Sequence, residues 1–263
     1  MRALHTAATG MMAQELNVQV ISNNIANLRT TGYKRQRAQF QDLLYEPLRR
    51  PGAQTSDQGT MLPAGLEIGS GVKTGSTPRV MSQGNLTSTE KEYDLAIRGE
   101  GFFRIRLPDG RTGYTRDGSF ELDGQGQMVT REGYLVEPAI TVPATAKGVT
   151  ISAQGQVQAS IPGQNQPQVL GQLLLARFVN KAGLESMGDN LFLETPASGP
   201  PVDGTPGVDG YGNLQQAYLE EGNVNAVTEI SSLIAAQRAY EMNSKIITAA
   251  DQMLSSTTNM FRG

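Results

Sequence analysis

Four short patterns in this chain hold residue types that catalyse reactions or bind ligands elsewhere. Ser88-Thr-Glu-Lys91 has the Ser-x-x-Lys spacing that sets an amine beside a serine nucleophile. Lys73-Thr-Gly75 fits the Lys-Thr-Gly of penicillin-recognising enzymes, but it precedes the serine motif instead of following it, and the intervening Ser-Asp-Asn is absent. Gly99-Glu-Gly101 follows an apolar strand and opens onto another strand, so it presents no helix amides to a phosphate. Asp123-Gly-Gln-Gly126 lacks the alternating acidic ligands of a calcium loop and reads as a turn. His5 is the single histidine and reads as a polar residue on a first helical turn, and with no cysteine the chain has no thiolate ligand, nucleophile or disulfide. The chain therefore reads as a non-enzyme, with no catalytic, cofactor-binding or metal-binding residues and no cofactor.

The elements around these patterns suit assembly better than catalysis. The length of 263 residues allows one or two compact units plus extensions. The 30 glycines and 13 prolines imply many turns. A net charge of -3, with no basic cluster beyond Arg49-Arg50, gives no footprint for nucleic acid. No apolar run approaches the length of a membrane span, and the N-terminus has no signal-peptide pattern.

Both ends read as helix. Leu4, Met11, Val18 and Ile25 recur every seven residues, with Ala8, Ile21 and Leu28 as a second row. Such a helix over 4–28 would be about 37 Å long. At the other end Ala226, Leu233, Tyr240, Ile247, Leu254 and Phe261 repeat the spacing, with Ile230, Ile234, Ile246, Ala250 and Met253 widening the stripe. The two seams are expected to bury each other as a coiled coil between 1–30 and 225–263. The first helix has an amide-rich face of Gln14, Asn17, Gln19, Ser22, Asn23, Asn24 and Asn27 where a solvated coiled coil carries Glu and Lys. Those amides are expected to bond to neighbouring chains or to line a polar surface.

Between the helices the pattern is α+β. Residues 31–93 read as an extended, β-rich linker with a long loop at 45–73, because Pro47, Pro51, Pro63 and several glycines forbid a long helix. Residues 94–195 read as one all-β domain, with turns at Pro108-Asp-Gly110, Asp117-Gly118, Asp123-Gly124 and Glu132-Gly133 between short apolar strands. Residues 196–224 read as a Gly/Pro-rich return linker.

Asparagine terminates helices well, and Gly32 suits a left-handed turn, but this accounts for Asn27 and not for Asn23 and Asn24. Ala7-Ala-Thr-Gly-Met11, Ser22-Asn-Asn-Ile-Ala-Asn27 and Thr31-Gly-Tyr-Lys34 together resemble the N-terminal signature of the bacterial flagellar rod and hook family. Glu221-Gly-Asn-Val-Asn225, Gln237-Arg-Ala-Tyr-Glu241 and Ala250-Asp-Gln-Met-Leu254 resemble its C-terminal signature, and Asp94-Leu-Ala-Ile97, Gly99 to Phe103 and Tyr114 to Phe120 its β domain. Tyr45 to Lys73, with Arg50, Pro51, Leu62 and Pro63, resembles the extra loop of the distal-rod members. Proximal-rod and hook paralogues are the alternative reading, and the tail Asn259 to Gly263 departs from the family's usual ending.

The resemblance implies a self-assembling structural subunit of the flagellar basal body, spanning periplasm and outer membrane and exported by the flagellar type III apparatus without a cleaved signal. It implies a helical homopolymer beneath a rod cap, joined to proximal-rod subunits and to hook or hook-junction proteins, with P and L ring proteins around it. The expected assembly interface is Leu4, Met11, Val18, Asn23, Asn24, Ile25, Asn27, Leu233, Tyr240, Ile247 and Leu254. The expected stiffening loop holds Arg50, Pro51, Leu62 and Pro63.

Overall fold

The computed structural model describes residues 2–52, 63–163 and 166–260, with side chains described to residue 257 in the last stretch. It is α+β, with a helix near each end and a β-rich middle. Helix α1 spans Arg2–Ala26 and helix α2 spans Ala226–Met260. Neither contains proline, and Gly10 is the only glycine in the two. Leu62 and Phe261, both named in the sequence reading, lie outside the described residues.

The chain divides into two units. The first comprises Met1–Ile25, Gln36–Pro78 and Ala226–Gly263; the second comprises Ala26–Arg35 and Arg79–Asn225.

In the second unit a nine-stranded antiparallel sheet runs in the order Glu185–Gly188, Leu191–Leu193, Thr112–Thr115, Phe102–Arg106, Leu135–Glu137, Met128–Val129, Glu121–Leu122. The strand Leu175–Arg177 joins it beside Phe102–Arg106 and pairs in turn with Val202–Gly204. Alternation along one strand sorts its side chains between two cores. Phe103 and Ile105 face the larger cluster with Leu95, Ile97, Phe120, Met128, Val136 and Ile140. Phe102 faces the other way, against Phe178 and Phe192 edge-on with ring centroids 6.0 Å apart in both cases. A smaller three-stranded sheet, Gly148–Ile151, Gln156–Ser160 and Gln168–Gln172, adds Val149, Ile151 and Val157 to the larger cluster.

The 196–224 stretch, read from its glycines and prolines as a linker, holds three short strands. Val202–Gly204 closes against Leu175–Arg177, Asn213–Gln216 against Leu95–Arg98, and Tyr218–Glu220 against Leu86–Ser88. Strands this short carry too few residues to show a period of their own. Their partners lie far away in sequence.

In the first unit the segment after α1 forms two antiparallel ladders, Gln39–Asp42 with Val72–Ser76 and Tyr45–Arg49 with Leu66–Gly69. Leu44, Tyr45, Leu48, Leu66 and Ile68 are exposed along them. The arm is tied to α1 by the ion pair of Arg2 with Glu46 at 2.6 Å and by the Val72 N–H, which donates to Thr9 Oγ1 at 3.3 Å.

Candidate assembly interface

In the first unit the row of α1 that loses most water differs from that expected, whereas that of α2 takes in the expected Leu233 and Ile247. Leu4, Met11, Val18 and Ile25 are half-buried, whereas Ala7, Ala13, Val20, Ile21 and Asn24 are buried. With Gly10, Gln14 and Asn17 half-buried, the least exposed row of α1 reads 7, 10, 14, 17, 21, 24, a regular alternation of three and four. In α2 the corresponding positions are Glu229, Leu233, Ala236, Asn243, Ile247 and Ala250, with Tyr240 in step but exposed. The rows have heptad spacing, but small and polar residues occupy five of the six positions in α1 and four of the six in α2. A search for large apolar residues passes over such a row.

Two contacts show why small and amide residues stand there. Gly10 faces Asn243, and a Cβ on Gly10 would lie 2.9 Å from the Asn243 amide nitrogen. Asn24 is fully buried and reads a peptide group with both ends of its amide. Its Oδ1 accepts from the Gln36 N–H at 2.9 Å, while its Nδ2 donates to the Gln36 carbonyl at 2.9 Å and to Glu229 Oε2 at 3.2 Å. Asn24 was expected to need a neighbouring chain, and its own chain supplies these partners. Asn23 is exposed and Asn27 half-buried; Asn27 accepts from the Thr30 hydroxyl at 3.2 Å, as a helix terminator does.

In the second unit lies a site that sequence reasoning missed. The Lys34 ammonium is buried and donates to Glu220 Oε1 at 2.5 Å and to the Ser82 carbonyl at 2.8 Å. Glu220 is equally buried, receives the Gly84 N–H at 2.9 Å and has Arg116 Nε 3.5 Å from its other oxygen. Arg116 in turn donates to the Gly99 carbonyl at 2.7 Å. Burial pulls the Lys34 amine below the ordinary lysine range, opposed by the Glu220 charge. Gly32 brings this segment close: its φ is +68°, its N–H donates to the Glu220 carbonyl at 2.7 Å, and an added Cβ would lie 2.7 Å from the Asp117 nitrogen.

Asn223 completes the set. Its Oδ1 accepts from the Arg35 N–H at 2.8 Å, and its Nδ2 donates to the Val80 carbonyl at 2.7 Å and to the Ser82 carbonyl at 3.0 Å. The Thr31–Lys34 and Glu221–Asn225 signatures are thus hydrogen-bonding counterparts, separated by 186 positions at the Lys34–Glu220 pair. No local pattern links residues so far apart.

Residues of the enzyme-like patterns make ordinary structural contacts. Lys91 faces Glu121 at 3.8 Å, and Ser88 Oγ donates to the Ala217 carbonyl at 3.5 Å. Asp123 Oδ1 accepts from the Gln125 and Gln127 N–H groups, each at 2.8 Å, which makes it a turn residue. Among the described residues no cluster of His, Cys, Asp and Glu is suited to a metal ion, and no helix is long and apolar enough to cross a membrane.

Residues 4–34 match the family model described as flagella basal body rod protein. Residues 96–159 match that of the flagellar hook protein FlgE/F/G D1 domain, and residues 215–260 that of the flagellar basal body rod FlgEFG protein C-terminal region. A Caulobacter vibrioides protein named flagellar basal-body rod protein FlgG is 56% identical over 260 residues, covering 99% of each chain. The chain belongs to the flagellar basal-body rod protein family. Proteins of the same name from Borreliella burgdorferi and Bacillus subtilis are 46% and 35% identical, the former covering 100% of this chain and 99% of its own, the latter 100% of both. The first match ends on Lys34 and the last takes in Glu220, Asn223 and Glu229, so the family's terminal regions hold the residues that bond to one another here.

Proposed function

We propose that this rod-family chain is a non-enzymatic subunit of the flagellar distal rod, polymerising helically into the shaft that carries torque to the hook. The observation that carries this reading is the apolar surface left open on α2. Val227 is 78% exposed, Ile246 49% and Met253 66%, and Ile230, Ile234, Tyr240 and Leu254 are exposed as well. A helix with that much uncovered apolar surface is expected to meet further protein. The Gly10–Asn243 and Asn24–Glu229 contacts support a coiled-coil pairing of α1 and α2 in opposite directions, which would leave their outer flanks for other copies. Leu4, Met11, Val18, Asn23, Ile25, Asn27, Leu233, Tyr240, Ile247 and Leu254 are then the residues of that interface, and the exposed amides would line an axial channel.

A rod grows as an open polymer because its donor and acceptor surfaces differ and the rotation does not close. The arm carrying Arg50, Pro51 and Pro63 would cross-link neighbours along the axis and stiffen the shaft. Proximal-rod subunits, hook or junction proteins, the rod cap, the P and L rings and the type III export apparatus are its expected partners, across periplasm and outer membrane. Electron microscopy of purified protein over a concentration series tests this: filaments that lengthen with concentration support it. A chain that stays monomeric at every concentration would refute it.

A further inference from the structure

We infer that residues 28–35 form a strap within the second unit that opens and closes as one piece, and that Glu220 and Asn223 are its lock. The strap is held by a different kind of force from the sheet beneath it. None of its residues belongs to either hydrophobic cluster of that unit. Its attachments are directional and polar. Gly32 N–H is bound by the Glu220 carbonyl, Lys34 by the Glu220 carboxylate, and Arg35 N–H by the Asn223 side chain. The Asn223 N–H returns to the Tyr33 carbonyl at 3.3 Å. Tyr33 adds one ring contact, with the Arg79 guanidinium 5.7 Å from its centroid.

Hydrogen bonds and ion pairs weaken steeply once geometry is lost, whereas apolar contact fades gradually with area. Moving Lys34 by a bond length or two would strand its buried charge and leave Glu220 with Arg116 and the Gly84 N–H alone, so intermediate positions are penalised. Closed and fully open are the two stable arrangements. Because the lock residues come from 220–223 and the strap from 28–35, closure joins segments separated by 186 positions at the Lys34–Glu220 pair. This inference concerns the folded subunit and does not depend on the rod reading.

Hydrogen exchange on the full-length chain tests it. In Lys34→Met, protection of the Gly32, Arg35, Gly84 and Asn223 amides is expected to fall on the order of a hundredfold or more, because Glu220 is left buried without its ammonium partner. Protection in the Phe102–Arg106 and Leu135–Glu137 strands stays within about threefold. The double variant Lys34→Met/Glu220→Gln is expected to recover part of the lost protection, since it removes the carboxylate charge and keeps an amide oxygen to accept from Gly84 and Arg116. Strap and sheet losing protection equally in Lys34→Met would show one cooperative unit and overturn the strap. Unchanged protection at all four amides would overturn the lock. Should Lys34→Met fail to fold, Asn223→Ala provides the same comparison with no buried charge, and equal losses in strap and sheet there would again overturn it.

Discussion

The β-rich unit and the helical unit handle apolar surface in opposite ways. In the former, Phe103, Ile105, Leu173 and Leu175 are at most 1% exposed, and even the two charges of Lys34 and Glu220 are enclosed with partners. In the latter, the inner rows of the helices hold Gly10, Gln14, Asn17, Ala236 and Asn243, while Ile230, Ile234, Ile246 and Met253 face outward. The arrangement inverts that of a solitary bundle, which places its large apolar residues inside. The β unit encloses a large apolar core and still leaves Val179, Val169 and Met187 exposed at its surface. The other has most of the large apolar residues of α2 exposed, the surface that the proposed assembly would cover.

Substitutions can break that contrast, and the largest effects belong to the β unit. Phe103→Ala removes a ring packed edge-on against Phe120 at 5.0 Å, and is expected to lower stability by about 3–5 kcal/mol in a denaturant titration. Asn24→Ala leaves the Gln36 N–H and Glu229 without their amide partner and should cost about 1–3 kcal/mol, read in the same way. If it costs nothing, the buried amide is incidental to the helical unit.

A pH titration reaches a still smaller effect. Burial pushes the Tyr114 phenol from 10.0 up to about 12. Between those values the folded chain holds a proton that the unfolded chain has released, so stability is full below pH 10 and declines as pH rises toward 12. Melting curves at pH 9 and at pH 11, compared with Tyr114→Phe, check the sign: the variant loses less on going alkaline. Smallest of all, Ile246→Ser should change the melting of the isolated chain by about 0.5 kcal/mol or less, because its site is already wet.

The sequence was most legible where one element carries its own pattern. Heptad spacing marked both helices, and the turn pairs at Asp117-Gly118 and Asp123-Gly124 marked the strands between them. Both rely on repetition within a few residues. In α1 the least exposed row differs from the expected one because periodicity was scored on large apolar side chains, whereas Gly10 and Asn243 meet through lack of bulk and Asn24 through hydrogen bonding. The Lys34–Glu220–Arg116 cluster was invisible for another reason: each residue looks like an ordinary surface charge until the fold supplies the other two. Asn223 was quoted as part of a signature, but its bonds to Arg35, Val80 and Ser82 come from segments that only tertiary structure brings together.

The central claim is that the outer face of α2 is open because assembly covers it. Ile230→Asp combined with Ile246→Asp tests it, since both positions are exposed in the single chain. Purified wild type and variant are compared by thermal melting and by electron microscopy at matched concentration. The account predicts coincident melts, with filaments from the wild type and none from the variant. Filaments of normal length and number from the variant would contradict it.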